Sequence, residues 1–181
     1  VQNMAVKDRK AMGLGYIPSD RHKNAMIPSF SITENFLLGY QETPEYCRKG
    51  FIDYERLRQD AEKQVEEFEI KVAGVDQEIG QLSGGNQQKV LMGRWMINAP
   101  LILIVDEPTR GIDVNAKAEI HRLLGEMNKN GTAVILVSSE MPEVLGMSDR
   151  IVIMHEGRKA GEIGREDATQ ELLMQIAFGE D

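Results

Sequence analysis

The stretch that decides the fold is Leu101-Ile102-Leu103-Ile104-Val105-Asp106-Glu107-Pro108-Thr109. Its leading apolar residues are continuous rather than alternating, which predicts a strand buried on both faces, as in the middle of a parallel sheet. In open parallel sheets ligands bind at the carboxyl ends of the strands, where Asp106 could hold Mg²⁺ and Glu107 could orient or deprotonate a water. The alternative is an acidic pair that only ends the strand and caps the next turn.

The segments after residue 100 alternate between strands and helices, which predicts an α/β layer. After residue 105, strands are predicted at 133–137, 150–155 and 159–163 and helices at 115–127, 142–147 and 166–178. Residues 30–98 are mainly helical and could form a separate lobe, with helices over 54–72 and 86–98. A short strand at 13–18 and a loop at 19–31 precede them.

A second motif, Leu82-Ser83-Gly84-Gly85-Asn86-Gln87-Gln88-Lys89, places a hydroxyl and two glycines at the predicted start of a helix. Unsatisfied backbone N–H groups and the positive end of the helix dipole bind an anion at such a start, and residues without a Cβ let a phosphate approach closely. The alternative is that Ser83 is only an N-cap.

The composition restricts the classes of function. The 181 residues include 29 acidic and 21 basic ones, for a formal net charge of -8, which argues against a nucleic-acid binder that neutralises phosphates over a broad surface. Cys47 is the only cysteine, so a disulfide framework within the chain is excluded and a reducing compartment is favoured. The longest strongly apolar run, residues 101–105, is far too short to cross a bilayer.

The two motifs, in this order and separated by one predicted helix, resemble the signature sequence and the Walker B strand of ABC transporter ATPases. Arg110-Gly111-Ile112-Asp113 is similar to the D-loop of that family. Residues 107–114 and 138–150 are similar to the C-terminal half of the two-cassette ATPases of ribose-, galactose- and xylose-type importers. The resemblance implies an α/β fold, a partial P-loop NTPase core of the ABC ATPase type with a mainly parallel sheet plus a helical subdomain.

The resemblance also implies a division of the chain. Residues 1–29 would hold a partial core strand and the Q-loop region, residues 30–99 the helical subdomain ending in the signature helix, and residues 100–181 the α/β core with Walker B, D-loop and switch region. The chain does not start with Met and contains no Gly-Lys-Ser or Gly-Lys-Thr, so it is similar to a fragment that lacks Walker A. Because each charge-assisted hydrogen bond of that loop contributes about 1.5–3 kcal/mol, we expect the isolated chain to bind ATP poorly and not to hydrolyse it.

The function implied by the resemblance is that of the ATP-hydrolysing subunit that energises import of a simple sugar, with ATP and Mg²⁺ as cofactors. In this family two nucleotide-binding domains pack head to tail, and each ATP lies between the Walker motifs of one domain and the signature of the other. The resemblance assigns catalysis to Glu107, metal binding to Asp106, and nucleotide binding to Ser83, Gly84, Gly85, Gln87 and Asp113.

The implied partners are a second nucleotide-binding domain, membrane-spanning permease subunits and, indirectly, a sugar-binding protein, and no nucleic acid. The implied location is cytoplasmic, peripheral on the inner face of the cell membrane. A soluble ABC ATPase of DNA repair or translation would call for long coiled coils or a basic stripe, and neither is visible in the sequence.

Two positions depart from the pattern of the family. Ser139 occupies the place of the switch histidine, and Ser19 that of the Q-loop glutamine. A serine cannot carry the positive charge that steadies a developing γ-phosphate, so this half-site is expected to be weak or silent. The alternative function is therefore a catalytically degenerate coupling or regulatory half that supplies the signature face to a partner cassette. Residues 20–23 are interpreted as a solvated loop, with contact to a membrane subunit as the alternative.

Overall fold

The computed structural model describes residues 3–97 and 99–179 of the chain. In chain order the helices and strands are α1 Val6–Ala11, β1 Leu14–Ile17, α2 Arg21–Asn24, α3 Ile32–Leu37, β2 Cys47–Arg48, β3 Phe51–Ile52, α4 Tyr54–Glu67, α5 Gly84–Ile97, β4 Ile102–Asp106, α6 Val114–Lys129, β5 Ala133–Val137, α7 Met141–Met147, β6 Arg150–His155, β7 Arg158–Gly164 and α8 Gln170–Phe178. The described residues form two compact units, one up to Ile135 and one from Leu136 onward. The division at residues 30 and 100 stays a prediction.

A sheet of three strands in the order β1-β4-β5 forms the α/β layer. β1 and β4 are parallel, with Leu14 opposite Ile102 and Ile17 opposite Val105. The chain therefore leaves both strands at the same edge, which brings the residues that follow Ile17 and Val105 to one end of the sheet. The predicted α/β fold with a parallel sheet is confirmed.

The prediction that the strand at 101–105 is buried on both faces is wrong for one face. Leu103 is fully buried, whereas Ile102 is 40% exposed. Trp95 of α5 packs on the buried face, so closely that a Cβ at Gly15 would lie 3.0 Å from its ring. The other face opens onto solvent and onto a cavity of about 550 Å³. β5, predicted to be a second buried strand, is likewise exposed at alternate residues.

Helix α4 ends earlier than the predicted helix over 54–72. The chain leaves the helix after Glu67, and Glu69 has a left-handed φ of 49°, which is incompatible with a continuing right-handed helix. Leu57 and Ala61 of the predicted apolar stripe are fully buried, and α4 packs on α3 and α5. The stripe therefore belongs to the core of its own helical region.

Three short helices were not predicted from the sequence: α1, α2 and α3. α2 lies inside the predicted loop at 19–31, and its N-cap Asp20 accepts a hydrogen bond from the Lys23 N–H at 3.0 Å. α3 begins with a capping box formed by Ser31 and Glu34. Because these helices have only four to six residues, they are too short for apolar periodicity to reveal them, and capping side chains are their main local signal.

The second unit holds α7, the antiparallel hairpin β6-β7 and α8. Its core is formed by Ile151, Ile153 and Leu173. The predicted strand at 150–155 is confirmed, whereas α8 begins at Gln170, four residues after the predicted start, because a 3-10 helix occupies Arg165–Asp167. Among the described residues, no helix is long and apolar enough to span a bilayer.

Candidate functional site

Asp106 lies at the carboxyl end of β4, the edge of the sheet at which the sequence predicts a ligand site. The Tyr16 hydroxyl donates a hydrogen bond to Asp106 Oδ2 at 3.3 Å. Burial, followed by the nearby carboxylate charge, raises the pKa of Tyr16, so its hydroxyl remains a donor at neutral pH. Ser19 is half-buried just beyond the end of β1, at the same edge.

Tyr16 is a residue that the sequence analysis missed. It lies opposite Ile104 in the parallel register, and Asp106 follows Ile104 by two residues. Because alternate residues of a strand point to the same face, Tyr16 and Asp106 share one face of the sheet. The signal was therefore present in the strand pattern, but it becomes readable only once the register of β1 against β4 is known.

Glu107 breaks the alternation of β4, because its backbone is in the left-handed region with a φ of 49°. The Arg110 N–H donates to the Glu107 carbonyl at 3.2 Å and closes the turn. A non-glycine residue in this conformation costs about 1–3 kcal/mol and is concentrated at functional sites. The sequence predicts a role for this half-buried carboxylate that differs from the role of Asp106. The left-handed backbone at Glu107 ends the extended conformation of β4.

Ser83 is exposed immediately before the first residue of α5. Its Oγ accepts hydrogen bonds from the side-chain amide of Asn86 at 3.1 Å and from the Asn86 N–H at 3.4 Å. The capping alternative raised by the sequence therefore describes this serine. Capping and anion binding are compatible here, since the first N–H groups of a helix, those of Gly84 and Gly85, have no partner within the helix.

The two glycines of this helix start are required by packing within the chain. A Cβ at Gly84 would lie 2.7 Å from Arg21 Nη2 and 3.3 Å from the Gly111 carbonyl oxygen. A Cβ at Gly85, which is buried, would lie 2.6 Å from the Cβ of Ala116. The start of α5 is thus pressed against the segment that leads into α6, and this contact explains the glycines even without a phosphate.

Gln87 is 4% exposed. Its side-chain Nε2 donates to the carbonyls of Ile79 and Leu82 at 3.3 and 3.2 Å, and its Oε1 accepts a hydrogen bond from Arg21 Nε at 3.2 Å. The structure thus places this predicted nucleotide-binding residue inside the protein, with both ends of its amide used to hold neighbouring segments.

Asp113 is exposed and is the N-cap of α6. Its Oδ1 accepts a hydrogen bond from the Ala116 N–H at 3.0 Å. Gly111 has a φ of 70°, which lets the chain turn between Glu107 and the helix. Residues 110–113 therefore form a tight surface turn, held at its end by the cap and packed against the start of α5.

The solvated-loop interpretation of residues 20–23 is wrong for Arg21. The guanidinium donates through Nε to Gln87 and through Nη1 to the Arg110 carbonyl at 3.2 Å, and burial lowers its pKa. His22 and Lys23 are exposed, as expected for a solvated loop. Local sequence gives no signal for the Arg21 contacts, because the partners are 66 and 89 residues away along the chain.

The predicted site residues fall into three groups in the structure. In the first group, Asp106 is the last residue of β4, Glu107 follows it, and Ser19 lies just beyond the end of β1 at the same edge of the sheet. The second group is the start of α5, which lies against residues 110–113. Ser139 belongs to the second unit, where it is exposed in the turn after β5.

The candidate metal ligand is a single carboxylate. Among the described residues, no group of three or more His, Cys, Asp or Glu side chains could hold a metal ion. Mg²⁺ nevertheless binds proteins through one or two carboxylates, keeping several waters and taking further oxygens from substrate phosphates. Asp106, half-buried at the strand end and held through Oδ2 by Tyr16, fits this mode of binding.

Sequence comparison gives relatives over most of the chain. Residues 3–110 match the family model described as ABC transporter. The chain is 47% identical over 176 residues to a ribose/galactose/methyl galactoside import ATP-binding protein of Geobacillus kaustophilus. This match covers 97% of this chain and 35% of that protein. It is 44% identical over 172 residues to the ribose import ATP-binding protein RbsA of Oceanobacillus iheyensis, with 95% and 34% covered. The chain thus spans about a third of the length of these relatives.

Solved structures share the fold. The ATP-binding cassette MJ0796, in a dimeric post-hydrolysis state bound to ADP and Pi, superposes with a TM-score of 0.70 at 23% identity, covering 90% of this chain and 68% of that one. The ADP conformation of the cassette MJ1267 superposes with a TM-score of 0.72 at 20% identity, covering 98% and 73%. At these identities the likeness concerns the fold.

Proposed function

The chain belongs to the ABC transporter family, and from this premise we propose that it is part of the ATP-binding subunit that energises the import of a simple sugar. The observation that carries the proposal is the start of α5, where the exposed Ser83 directly precedes a 14-residue helix beside the 110–113 turn. Relatives with 44–47% identity are import ATP-binding proteins for ribose and galactosides, which supports the choice of substrate class.

In the assembled transporter, a second nucleotide-binding domain would present its ATP to this helix start. The Ser83 hydroxyl and the N–H groups of Gly84 and Gly85 would donate to the terminal phosphate, aided by the helix dipole. Gln87, being buried, would act by holding the preceding segment rather than by touching the nucleotide. The exposed carboxylate of Asp113 would couple the two sites across the interface.

On its own side of the interface, the chain would contribute Asp106 and Glu107. Asp106 would hold Mg²⁺, which neutralises phosphate oxygens during transfer. The Tyr16 hydroxyl would keep the Asp106 carboxylate in one orientation. Glu107 would orient the attacking water and accept its proton. The chain would lie at the inner face of the cell membrane, in contact with the permease subunits, and a sugar-binding protein would be an indirect partner.

A second candidate function is that of a catalytically degenerate half that only supplies its signature face to a partner cassette. Ser139 favours it, because a neutral hydroxyl at the switch position cannot carry the charge that a developing γ-phosphate needs. Ser19 at the Q-loop position weakens the case for metal contact there. Glu107 favours retained hydrolysis, since a carboxylate remains at the place of the catalytic base.

The test is made in the full-length parent, reconstituted with its permease. Ser83→Arg places a long side chain in the space that the partner's phosphate should occupy, so that the two domains cannot close on the nucleotide, and we expect sugar uptake and sugar-stimulated ATP hydrolysis to fall at least tenfold. Ser29→Arg, which puts the same side chain at another exposed serine, is the matched control and should retain both activities. Uptake and hydrolysis unchanged in Ser83→Arg would refute the proposed function.

In the same assay, Glu107→Gln separates the two candidate functions. If this half hydrolyses ATP, the variant should stall with ATP trapped in the closed dimer, detectable as nucleotide retained after gel filtration. If the half only lends its signature face, retained nucleotide and turnover should match those of the unmodified parent.

A further inference from the structure

We propose that Arg21 is a positioning residue that aligns the start of α5 with the 110–113 turn, so that the two parts of the phosphate-facing surface keep one fixed relative geometry. The inference rests on the proposed function, because it concerns the same surface. It assigns a role to a residue within the segment 20–23, for which the sequence predicts a solvated loop.

Arg21 contacts Gln87 of α5 on one side. Arg21 Nε donates a hydrogen bond to Gln87 Oε1 at 3.2 Å, so the oxygen of the buried amide faces Arg21. The opposite end, Nε2, must then face the carbonyls of Ile79 and Leu82, to which it donates. Arg21 therefore acts on the segment directly before Ser83 through a buried amide with one permitted orientation.

On its other side Arg21 contacts the 110–113 turn. Arg21 Nη1 donates to the Arg110 carbonyl at 3.2 Å. Its remaining nitrogen, Nη2, lies where a Cβ of Gly84 would come within 2.7 Å. The planar guanidinium thus fills the corner between the helix start and the turn, and Gly84 is the residue that leaves room for it.

The helix that carries Arg21 is itself fixed to α5. Arg94 Nη1 donates to the Ala25 carbonyl at 3.0 Å, and Arg94 is buried. Residues 21 and 25 are about one turn apart, and their partners on α5, residues 87 and 94, are about two turns apart. Hydrogen bonds therefore attach both ends of α2 to α5, so Arg21 does not lie on a free loop.

Only an arginine supplies this arrangement. Its donors lie in a rigid fork, so that Nε and Nη1 can serve two acceptors on different segments at once. Both acceptors are uncharged oxygens of an amide side chain and a backbone carbonyl, so direction rather than charge pairing determines the contact. A lysine would keep the positive charge but not the two fixed directions.

The experiment uses the full-length parent reconstituted with its permease, and compares Arg21→Met and Arg21→Lys with Lys23→Met. Lys23 lies on the same short helix but is exposed, so its replacement removes a cation without touching the alignment. We expect Arg21→Met to lower the kcat of ATP hydrolysis about tenfold, while the KM for ATP changes less than twofold, because misalignment affects the closed reacting state most. Lys23→Met should behave as the unmodified parent, and Arg21→Lys should restore less than half of the lost kcat.

The rates of amide hydrogen exchange distinguish a positioning residue from one that only stabilises the whole fold. In Arg21→Met, amides of residues 83–87 and 110–113 should exchange faster together, while those of the β6-β7 hairpin keep their rates. Uniformly faster exchange over the chain would overturn the proposal and leave Arg21 a general stabiliser. If Arg21→Met does not fold, the same exchange pattern is sought in Arg21→Lys.

The outcomes separate this inference from the proposed function. If Ser83→Arg abolishes hydrolysis while Arg21→Met retains the parent's kcat and exchange pattern, the proposed function stands and the role of Arg21 is refuted. If neither variant changes ATP hydrolysis, the proposed function itself fails. A double variant Arg21→Met/Gln87→Met should lose little more than either single variant, and full additivity would contradict a shared alignment.

Discussion

At the scale of single residues, Lys10 shows how burial changes a side chain on a helix of only six residues. Its Nζ donates to the Gly39 carbonyl at 2.6 Å and lies 3.6 Å above the centre of the Tyr40 ring. These contacts favour the charged amine, yet burial, followed by the charge of Arg94, lowers the pKa of Lys10 to about 8. Desolvation therefore outweighs the contacts.

We expect Lys10 to react with trace acetic anhydride with half-maximal rate near pH 8 in the full-length parent, because the neutral amine is the nucleophile. Lys7, one turn earlier on α1, is the internal control. It is exposed and bonded to Glu42, which raises its pKa, so its labelling should begin at higher pH. Mass spectrometry of the two peptides measures both rates, and identical pH profiles would contradict the burial of Lys10.

The sign of the stability effect follows from the same shift. The folded pKa of Lys10, about 8, lies below its ordinary value of 10.5, so the unfolded chain binds more protons between these two values. The free energy of unfolding contributed by this group therefore rises with pH across that window, and its unfavourable effect is complete below pH 8.

The residue scale also shows where sequence reasoning ends. Asp106, Glu107 and Ser83 could be singled out because strand ends and helix starts are local patterns. Tyr16 and Arg21 could not be singled out from the sequence. The partner of Tyr16 lies 90 residues away along the chain, and the two partners of Arg21 lie 66 and 89 residues away. Such contacts are decided by sheet register and helix packing, which a single sequence does not specify.

At the scale of secondary structure elements, α5 and α6 pack closely because Gly85 of α5 has no side chain at the point where it meets Ala116 of α6. Gly85→Ala would put a Cβ 2.6 Å from that of Ala116, and we expect it to lower the free energy of unfolding by about 1–3 kcal/mol through overpacking. Urea unfolding of the parent measures the change. Adding Ala116→Gly should recover most of the loss, and failure to do so would show that the clash is not the cause.

Gly125→Ala is the matched control for this prediction. Gly125 lies inside α6, and a Cβ there would meet nothing within 4 Å. Replacing a glycine in an open helix position should raise the free energy of unfolding by about 0.5–1 kcal/mol. Opposite signs for two glycine-to-alanine changes at the same helix pair would separate packing from backbone entropy.

The long helices were predictable, whereas the short helices α1, α2 and α3 were not. α5 and α6, of 14 and 16 residues, were both predicted. α6 repeats its apolar residues on one face, whereas α5 was recognised by its dense run of apolar residues and is buried on nearly all sides. The burial of β4 was overpredicted, because a continuous apolar run does not indicate which neighbours cover each face. In this structure Trp95 of α5 packs on the neighbouring strand β1, and the opposite face of β4, at Ile104, opens onto a cavity.

At the scale of the whole molecule, the chain contains the segments that we propose as signature, at residues 82–88, and as Walker B strand, at residues 101–107, whereas its sequence contains no Gly-Lys-Ser or Gly-Lys-Thr. We therefore expect the isolated 181-residue chain to bind ATP at least a hundredfold more weakly than the full-length parent, since two or more charge-assisted bonds of about 1.5–3 kcal/mol each are lacking. Isothermal titration with ATP and Mg²⁺ measures both affinities.

The control for this comparison is Ser83→Glu in the isolated chain, since a carboxylate repels the phosphates of ATP. If the chain binds ATP only through its signature face, the variant should abolish the residual affinity. Circular dichroism of both chains checks that folding is equal. Measurable turnover by the purified chain would contradict the expectation that it is inactive.

The left-handed backbone at Glu107 makes this position informative for directed evolution. A library randomised at position 107 and selected only for folding should enrich glycine and asparagine, which adopt that conformation at the least cost. Selection for growth on the transported sugar should instead retain glutamate, if hydrolysis in this half contributes to growth. The ratio between the two selections would thus report how much fitness the cell gains from one strained carboxylate.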